Sequence, residues 1–130
     1  MEIVYLIDTN IFLEILLNQA KKEFCKSYLT SKIGKIVISD FSLHSIGVIL
    51  FRNKRFELYN SFIADILPKI RLVSLPKDSY YKVQNFANQF NLDFDDSYQV
   101  AVAESFNLTI ATMDADFNKV GKQHKIDYLN

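Results

Sequence analysis

The sequence predicts an α/β fold with a parallel or mostly parallel sheet and helices on both of its faces. Unbroken apolar runs such as residues 3–7 and 108–112 are typical of strands that are buried on both faces. These runs alternate with helical patterns of ten or more residues, the order expected of a parallel sheet. Ligands of such sheets bind outside the carboxyl ends of the strands, so the residues that follow each strand are the first candidates for a site.

The first half of the chain contains two predicted strands and four predicted helices. Residues 3–7 form the first strand, which stops at Asp8, and Thr9 or Asn10 can cap the helix that follows. The remaining elements of this half are a helix over 21–30 that ends near Gly34, a strand over 36–38, a helix from Ser39 or Ser42 to Leu50, and a helix over 56–67.

The second half repeats the alternation. Residues 71–75 predict a third strand, and Pro76 suits the first turn of a helix that extends to Phe90. The acids of 93–96 suit a helix start and precede a helical pattern that ends at Phe106. Residues 108–112 predict the fourth strand, and 126–129 predict a fifth.

Length and composition predict one domain that spans residues 1–130. The chain is 49% hydrophobic and carries 18 aromatic side chains, 11 Phe and 7 Tyr, which supply one core. Cys25 is the single cysteine and cannot form an internal disulfide, so we expect a reducing, cytoplasmic compartment. The acid Glu2 and the short apolar stretch 11–17 predict neither a signal peptide nor a membrane segment, hence no membrane partner.

The charges are balanced overall but separated along the chain. The 15 acids and 15 bases give a net charge of zero, yet residues 83–118 contain acids without a single Lys or Arg. Residues 21–82 instead have an excess of bases. This separation favours an acidic pocket beside a basic rim.

Three acids are predicted to meet at one edge of the sheet. Asp8 and Asp114 each follow an apolar strand, and Asp96 lies in the first turn of the helix before the fourth strand. Carboxylates held close together either have raised pKa values or bind a cation, and oxygen ligands favour Mg²⁺ or Mn²⁺. Capping or solvation is the alternative explanation of the neighbouring acids Asp93, Asp95 and Asp116.

At these residues the chain resembles the PIN-domain nucleases, which include the VapC-type toxins of prokaryotic toxin-antitoxin pairs. The opening motif is Ile7-Asp8-Thr9-Asn10-Ile11-Phe12. The second is the acid-led helix that starts Phe94-Asp95-Asp96-Ser97 and continues with an Ala-rich face. The closing motif is Ala111-Thr112-Met113-Asp114-Ala115-Asp116-Phe117. The three motifs occur in the order of that family.

The resemblance implies a three-layer α/β/α sandwich with a central sheet of four to five strands and a metal-dependent ribonuclease site that uses Mg²⁺ or Mn²⁺. By this resemblance the metal-binding and catalytic acids are Asp8, Asp96 and Asp114, the accessory metal ligand is Asp116, and the supporting polar residues are Asn10 and Thr112. The chain departs from the family at Ser45, where a Glu is usual. A hydroxyl at Ser45 can support a phosphate, but it cannot supply the charge of the missing carboxylate.

The substrate and the partners follow from charge and from the resemblance. RNA is the expected substrate, and Arg52, Lys54 and Arg55 are predicted to offset phosphate repulsion from the acids. Nearby aromatics such as Phe51 and Phe56 could stack on unpaired bases. The resemblance further implies an antitoxin protein and a homodimer as partners.

Two other functions compete with a nuclease. A haloacid dehalogenase-like phosphatase also uses an Asp after its first strand, but it needs a second Asp where this chain has Asn10. The stronger alternative is a catalytically weakened PIN-like module that binds RNA or protein, which Ser45 favours. The retained acids oppose this alternative, because a binding module has no need to concentrate uncompensated negative charge.

Overall fold

A five-stranded sheet forms the centre of the protein. The computed structural model describes residues 2–130. All strand pairs are parallel, in the order β3-β2-β1-β4-β5. The strands are β1 (Tyr5–Ile7), β2 (Ile36–Ser39), β3 (Arg71–Val73), β4 (Thr109–Thr112) and β5 (Ile126–Tyr128). The predicted fold class is therefore confirmed, and the sheet is entirely rather than mostly parallel.

Within the described residues 2–130, six α-helices connect and cover the strands. They are α1 (Thr9–Leu16), α2 (Lys22–Ser31), α3 (Asp40–Arg52), α4 (Phe56–Ser61), α5 (Tyr81–Phe90) and α6 (Phe94–Phe106). The helix predicted over 56–67 is not uniform, because α4 continues as a π-helical turn over Phe62–Ile66. Pro68 explains this widening, since its ring clashes with the carbonyl four residues earlier in an α-helix. None of the helices within residues 2–130 is long and apolar enough to cross a membrane.

Two hydrophobic clusters fill the space on either side of the sheet. Leu6 packs on one face with residues of α5 and α6, whereas its neighbour Ile7 packs on the other face with residues of α1, α3 and α4. This alternation follows from the two-residue period of a strand. The result is the three-layer α/β/α sandwich, in which both faces of β1 are buried.

The strand order identifies the edge at which a ligand can bind. From β1 the chain crosses to β2 on one side, and β4 pairs with β1 on the other side. The connections that leave β1 and β4 therefore diverge and open a crevice at the carboxyl ends of these two strands. Such a topological switch point is the usual binding site of open parallel sheets. Asp8 follows β1 at this crevice, and Asp114 follows β4 after one intervening residue.

Candidate metal centre

Asp8 lies at the end of β1 and caps α1. Its Oδ1 accepts a hydrogen bond of 2.9 Å from the backbone N–H of Thr9, so Asp8 itself is the cap that the sequence suggested for Thr9 or Asn10. A carboxylate at this position can accept from the free N–H groups of the first helical turn. The side chain is 8% exposed. The carboxylate is thus held rigidly at the floor of the crevice.

A chain of short hydrogen bonds connects Asp8 with the segment after β4. The Thr112 hydroxyl donates to Asp8 Oδ2 at 2.7 Å and accepts from the backbone N–H of Asp114 at 2.9 Å. Asp114 Oδ1 in turn accepts from the backbone N–H of Asp116 at 2.9 Å. Backbone pairing sets the separation of β1 and β4, and the fully buried Thr112 hydroxyl holds the Asp8 carboxylate and the Asp114 backbone in place at their ends.

Asp96 reaches the same crevice from α6. The side chain of Asp93 caps this helix by accepting from the Asp96 backbone N–H at 3.0 Å, which places Asp96 in the first turn. Carboxylate oxygens of Asp96, Asp114 and Asp116 all lie within 4.8 Å of one another. We call these three residues the acidic cluster. Asp8 lines the same cavity, although both of its oxygens already accept hydrogen bonds.

Burial and mutual repulsion raise the pKa values of the central acids. Partial burial, and then the charges of Asp93, Asp114, Asp8 and Asp116, raise the pKa of Asp96 to about 7. Burial is also the largest cause of the raised pKa of Asp8, and its hydrogen bonds with Thr112 and Thr9 oppose the shift. These acids are therefore strained when ionised together without a cation.

We predict that the metal-free protein loses stability as the pH rises through the range between about 4 and 7. Asp96 retains its proton to a higher pH in the folded state than in the unfolded state, where its pKa is near 3.8. The folded state then binds more protons within this window, so the free energy of unfolding falls with rising pH. Urea denaturation in EDTA at a series of pH values measures this slope. Asp96→Asn should have a shallower slope, and an identical slope in that variant would contradict the assignment.

The donor set fits a hard divalent cation. Every candidate ligand is a carboxylate oxygen, the type that Mg²⁺ and Mn²⁺ prefer. Two oxygens on opposite sides of one Mg²⁺ lie roughly 4 Å apart, close to the observed spread of the acidic cluster. Within residues 2–130 no Lys or Arg lines the cavity, and the exposed Lys119 approaches Asp116 only to 3.9 Å. A cation can therefore relieve the repulsion that raises the pKa of Asp96.

The structure brings most of the sequence-predicted site residues into one cavity of about 270 Å³. Its lining includes Asp8, Asn10, Ser45, Asp96, Asp114 and Asp116. Thr112 lies beneath it and bonds to Asp8.

The predicted basic residues lie elsewhere. The helix α3 begins beside Thr9, through a 2.8 Å hydrogen bond with Ser42, and Arg52 follows ten residues later, roughly 15 Å along the axis. Lys54 and Arg55 line a separate cavity beyond that end of α3.

Other residues of the cavity escaped the sequence analysis. Gln99 and Phe41 both line it. Phe41 belongs to none of the three motifs, and Gln99 lies within the second motif but was assigned no role there. The spacing of Gln99, three residues after Asp96 on a helix, was the available signal, because such residues share a helix face. His44, the sequence neighbour of Ser45, lines a different cavity together with Val48 and Phe51.

Known structures share this fold over nearly the whole chain. A chain of the DNA-bound VapBC structure from Salmonella typhimurium matches with a TM-score of 0.80 and 13% identity, covering 98% of each chain. FitAcB from Neisseria gonorrhoeae matches with a TM-score of 0.76 and 20% identity, covering 95% of this chain and 96% of that one. VapC20 from Mycobacterium tuberculosis, described as a sarcin-ricin loop cleaving toxin, matches with a TM-score of 0.76 and 17% identity, covering 90% and 95%.

Sequence comparison gives a match to a family model rather than to an individual protein. No curated protein matches the chain significantly in sequence. The family model of the PIN domain, however, matches residues 5–123, a stretch that includes all three motifs and every acid of the cavity. The chain therefore belongs to the PIN domain family.

Proposed function

We propose that this protein is a metal-dependent ribonuclease that hydrolyses phosphodiester bonds of RNA at the acidic cavity. One observation carries the proposal: carboxylates from the ends of β1 and β4 and from the start of α6 converge at the switch point of the sheet. Acids whose only role is to cap helices do not need to lie close together, and close carboxylates repel one another. The membership of the PIN domain family supports the same chemistry.

Different residues of the cavity would hold the cation and contact the substrate. Mg²⁺ or Mn²⁺ at such a site supplies charge neutralisation at the phosphate and lowers the pKa of water. Asp96, Asp114 and Asp116 would hold the ion, because their oxygens are the ones that lie together. Asp8 adds negative charge at the floor of the cavity, and Thr112 keeps it in register with Asp114. Asn10 and Ser45 offer neutral polar groups on the cavity wall to the substrate.

Aromatic side chains beside the cavity favour unpaired RNA as the substrate. Phe41 lines the cavity, and its ring lies 6.5 Å from that of Phe94, which is 57% exposed. Exposed rings can stack on bases that are not paired in a duplex. Because Phe41 lines the cavity together with the acids, a base that stacks on these rings would lie beside a phosphate at the acidic cluster.

Two groups of basic residues can attract the RNA backbone, one close to the cavity and one farther from it. Cys25 Sγ lies 3.8 Å from the sulfur of Met113, the residue before Asp114, so the first turns of α2 lie at the edge that holds the cavity. Lys21 and Lys22 stand at that start of α2. Arg52, Lys54 and Arg55 would contact phosphates farther from the cut, because α3 separates them from the cavity.

We further propose that the protein acts as the toxin of a toxin-antitoxin pair, in the cytoplasm, with an antitoxin protein as its partner. The structural neighbours support this role, because they include VapBC from Salmonella typhimurium bound to DNA and a toxin-antitoxin complex from Klebsiella pneumoniae. The proposal also includes a homodimer. The exposed apolar side chains Val48, Phe51 and Phe56 provide a surface that either the antitoxin or the second copy of the chain would cover.

Removal of the metal tests the proposed activity directly. Purified protein should cut single-stranded RNA in Mg²⁺ or Mn²⁺, and excess EDTA should abolish the cutting because the acidic cluster alone has no electrophile. Restoring the ion should restore the activity. Cleavage that persists in EDTA would show that the acidic cavity is not the source of the activity.

The weakened binding module is the second candidate, and Ser45 is the observation that favours it. The cavity wall carries a hydroxyl there, so the site has one fewer charge than a carboxylate would give. Since the affinity of an oxygen site follows its charge count, Ser45→Glu should tighten Mn²⁺ binding and raise RNA cleavage. A Ser45→Gln variant has similar size without the charge and is the control. A binding module would cleave RNA in none of these forms.

A further inference from the structure

Gln99 is a buried amide on the wall of the acidic cavity. It follows Asp96 by three residues on α6, so both side chains lie on the same face of the helix. The side chain lines the cavity and is 2% exposed. A polar side chain buried to this extent requires hydrogen-bond partners for both ends of its amide.

Among the residues that the structure describes, only the nitrogen end of this amide has a partner. Gln99 Nε2 donates to Ser42 Oγ at 2.7 Å, and the same oxygen accepts from the Thr9 hydroxyl at 2.8 Å. These two bonds join α6, α3 and α1 directly behind the cavity. Because Thr9 follows Asp8, the relay also links Gln99 to the segment that holds Asp8.

The oxygen end has no partner. Gln99 Oε1 is buried and accepts no hydrogen bond from any group within residues 2–130. Leaving a buried acceptor unpaired is unfavourable, because the group has lost its hydrogen bonds with water. An acceptor in this position cannot bond to the neighbouring carboxylates when they are ionised, because ionised carboxylates are acceptors themselves. It suits a species that brings hydrogen-bond donors into the acidic cavity, as a hydrated divalent cation does.

We propose that Gln99 is a positioning residue of the cation site and that its Oε1 recognises the hydration shell of the divalent ion held by the acidic cluster. The proposal rests on the metal site of the proposed function and extends it to a residue outside the acids. Ser42 fixes the amide by its nitrogen, and because the amide is planar the same bond also fixes the direction of Oε1 on the cavity wall. The amide thus adds a neutral acceptor where a further charge would increase the repulsion.

The competing explanation is that Gln99 only holds α6 against α3. The two explanations differ in the metal-free protein. If the amide is purely structural, it stabilises the fold equally with and without the ion. If it serves the ion, it stabilises the fold only when the ion is bound. Gln99→Leu and Gln99→Glu separate them, because Leu removes both ends of the amide and Glu keeps the oxygen end, to which the Ser42 hydroxyl can donate.

The experiment measures Mn²⁺ binding by the loss of the free-ion EPR signal and thermal stability in EDTA and in Mn²⁺. We expect Gln99→Leu to weaken Mn²⁺ binding by about tenfold or more, the usual effect of losing an outer contact to a metal site. Its melting temperature in EDTA should equal or exceed that of the wild type, while the rise caused by Mn²⁺ shrinks. Gln99→Glu should bind Mn²⁺ at least as tightly as the wild type.

Ser105→Ala is the matched control. Ser105 Oγ is the other buried side-chain atom without a partner within residues 2–130, and it lies near the far end of the same helix. Its removal should leave Mn²⁺ binding unchanged.

Three results would overturn the inference. Wild-type Mn²⁺ affinity in Gln99→Leu refutes it alone, and so does equal weakening in Gln99→Leu and Gln99→Glu, because the Glu variant retains an acceptor oxygen at this position. Absence of Mn²⁺ binding in the wild type refutes the metal site of the proposed function as well.

Discussion

Asp114→Asn is expected to reduce RNA cleavage by at least about 100-fold without unfolding the protein. Substitutions in the outer contacts of a metal site already cost 10–100-fold, and Asp114 belongs to the acidic cluster itself. The variant keeps the side-chain oxygen that accepts from the Asp116 backbone N–H. It also removes one of the charges that raise the pKa of Asp96, so the metal-free fold should become more stable at neutral pH.

The measurements are initial rates on a single-stranded RNA in Mg²⁺ and urea denaturation in EDTA. Asp65→Asn is the control for the change in net charge, because Asp65 is exposed in the turn after α4 and does not line the cavity. This control should cleave at the wild-type rate. Equal rates for Asp114→Asn and Asp65→Asn would remove Asp114 from the active site.

Phe12→Ala is expected to cause the largest loss of stability, about 3–5 kcal/mol. Phe12 is 1% exposed in α1, and its ring meets that of the fully buried Phe62 edge-on, with centroids 5.5 Å apart. The substitution removes the contact that ties the helix after Asp8 to the π-helical turn. A domain of this size has roughly 5–15 kcal/mol of stability in total, so the urea midpoint should fall steeply.

Phe24→Ala makes the same chemical change at a surface position. Phe24 is 45% exposed in α2, so its removal should change the free energy of unfolding by only about 0.5 kcal/mol. Similar urea midpoints for Phe12→Ala and Phe24→Ala would show that α1 is not held through this aromatic pair.

The sequence predicted the fold because its strands are buried on both faces. Runs such as residues 3–7 and 36–38 are typical of central strands, and β1 and β2 lie in the interior of the sheet, although β1 begins only at Tyr5 and Ile3 is exposed. Local geometry was harder to predict. The cap of α1 is Asp8 rather than Thr9 or Asn10, and Pro68 widens the end of the predicted helix 56–67. Both features depend on contacts between particular residues, which the spacing of apolar residues along the sequence does not reveal.

The acids were predictable because strand ends of a parallel sheet share an edge. Asp8 and Asp114 follow strands that turned out to be neighbours, and the cap at Asp93 brings Asp96 to them. Gln99 was not predicted, since its role depends on a partner missing at one end of its amide. The distance of Arg52 from the cavity could not be predicted from the sequence either, because the direction in which α3 runs depends on tertiary packing.

The most direct test of the metal centre is an anomalous difference map from crystals grown with Mn²⁺. The account predicts a single strong peak among the carboxylates of Asp96, Asp114 and Asp116, with Asp8 at the floor of the same cavity. An empty cavity at a Mn²⁺ concentration that supports RNA cleavage, or a peak bound by other residues, would contradict it.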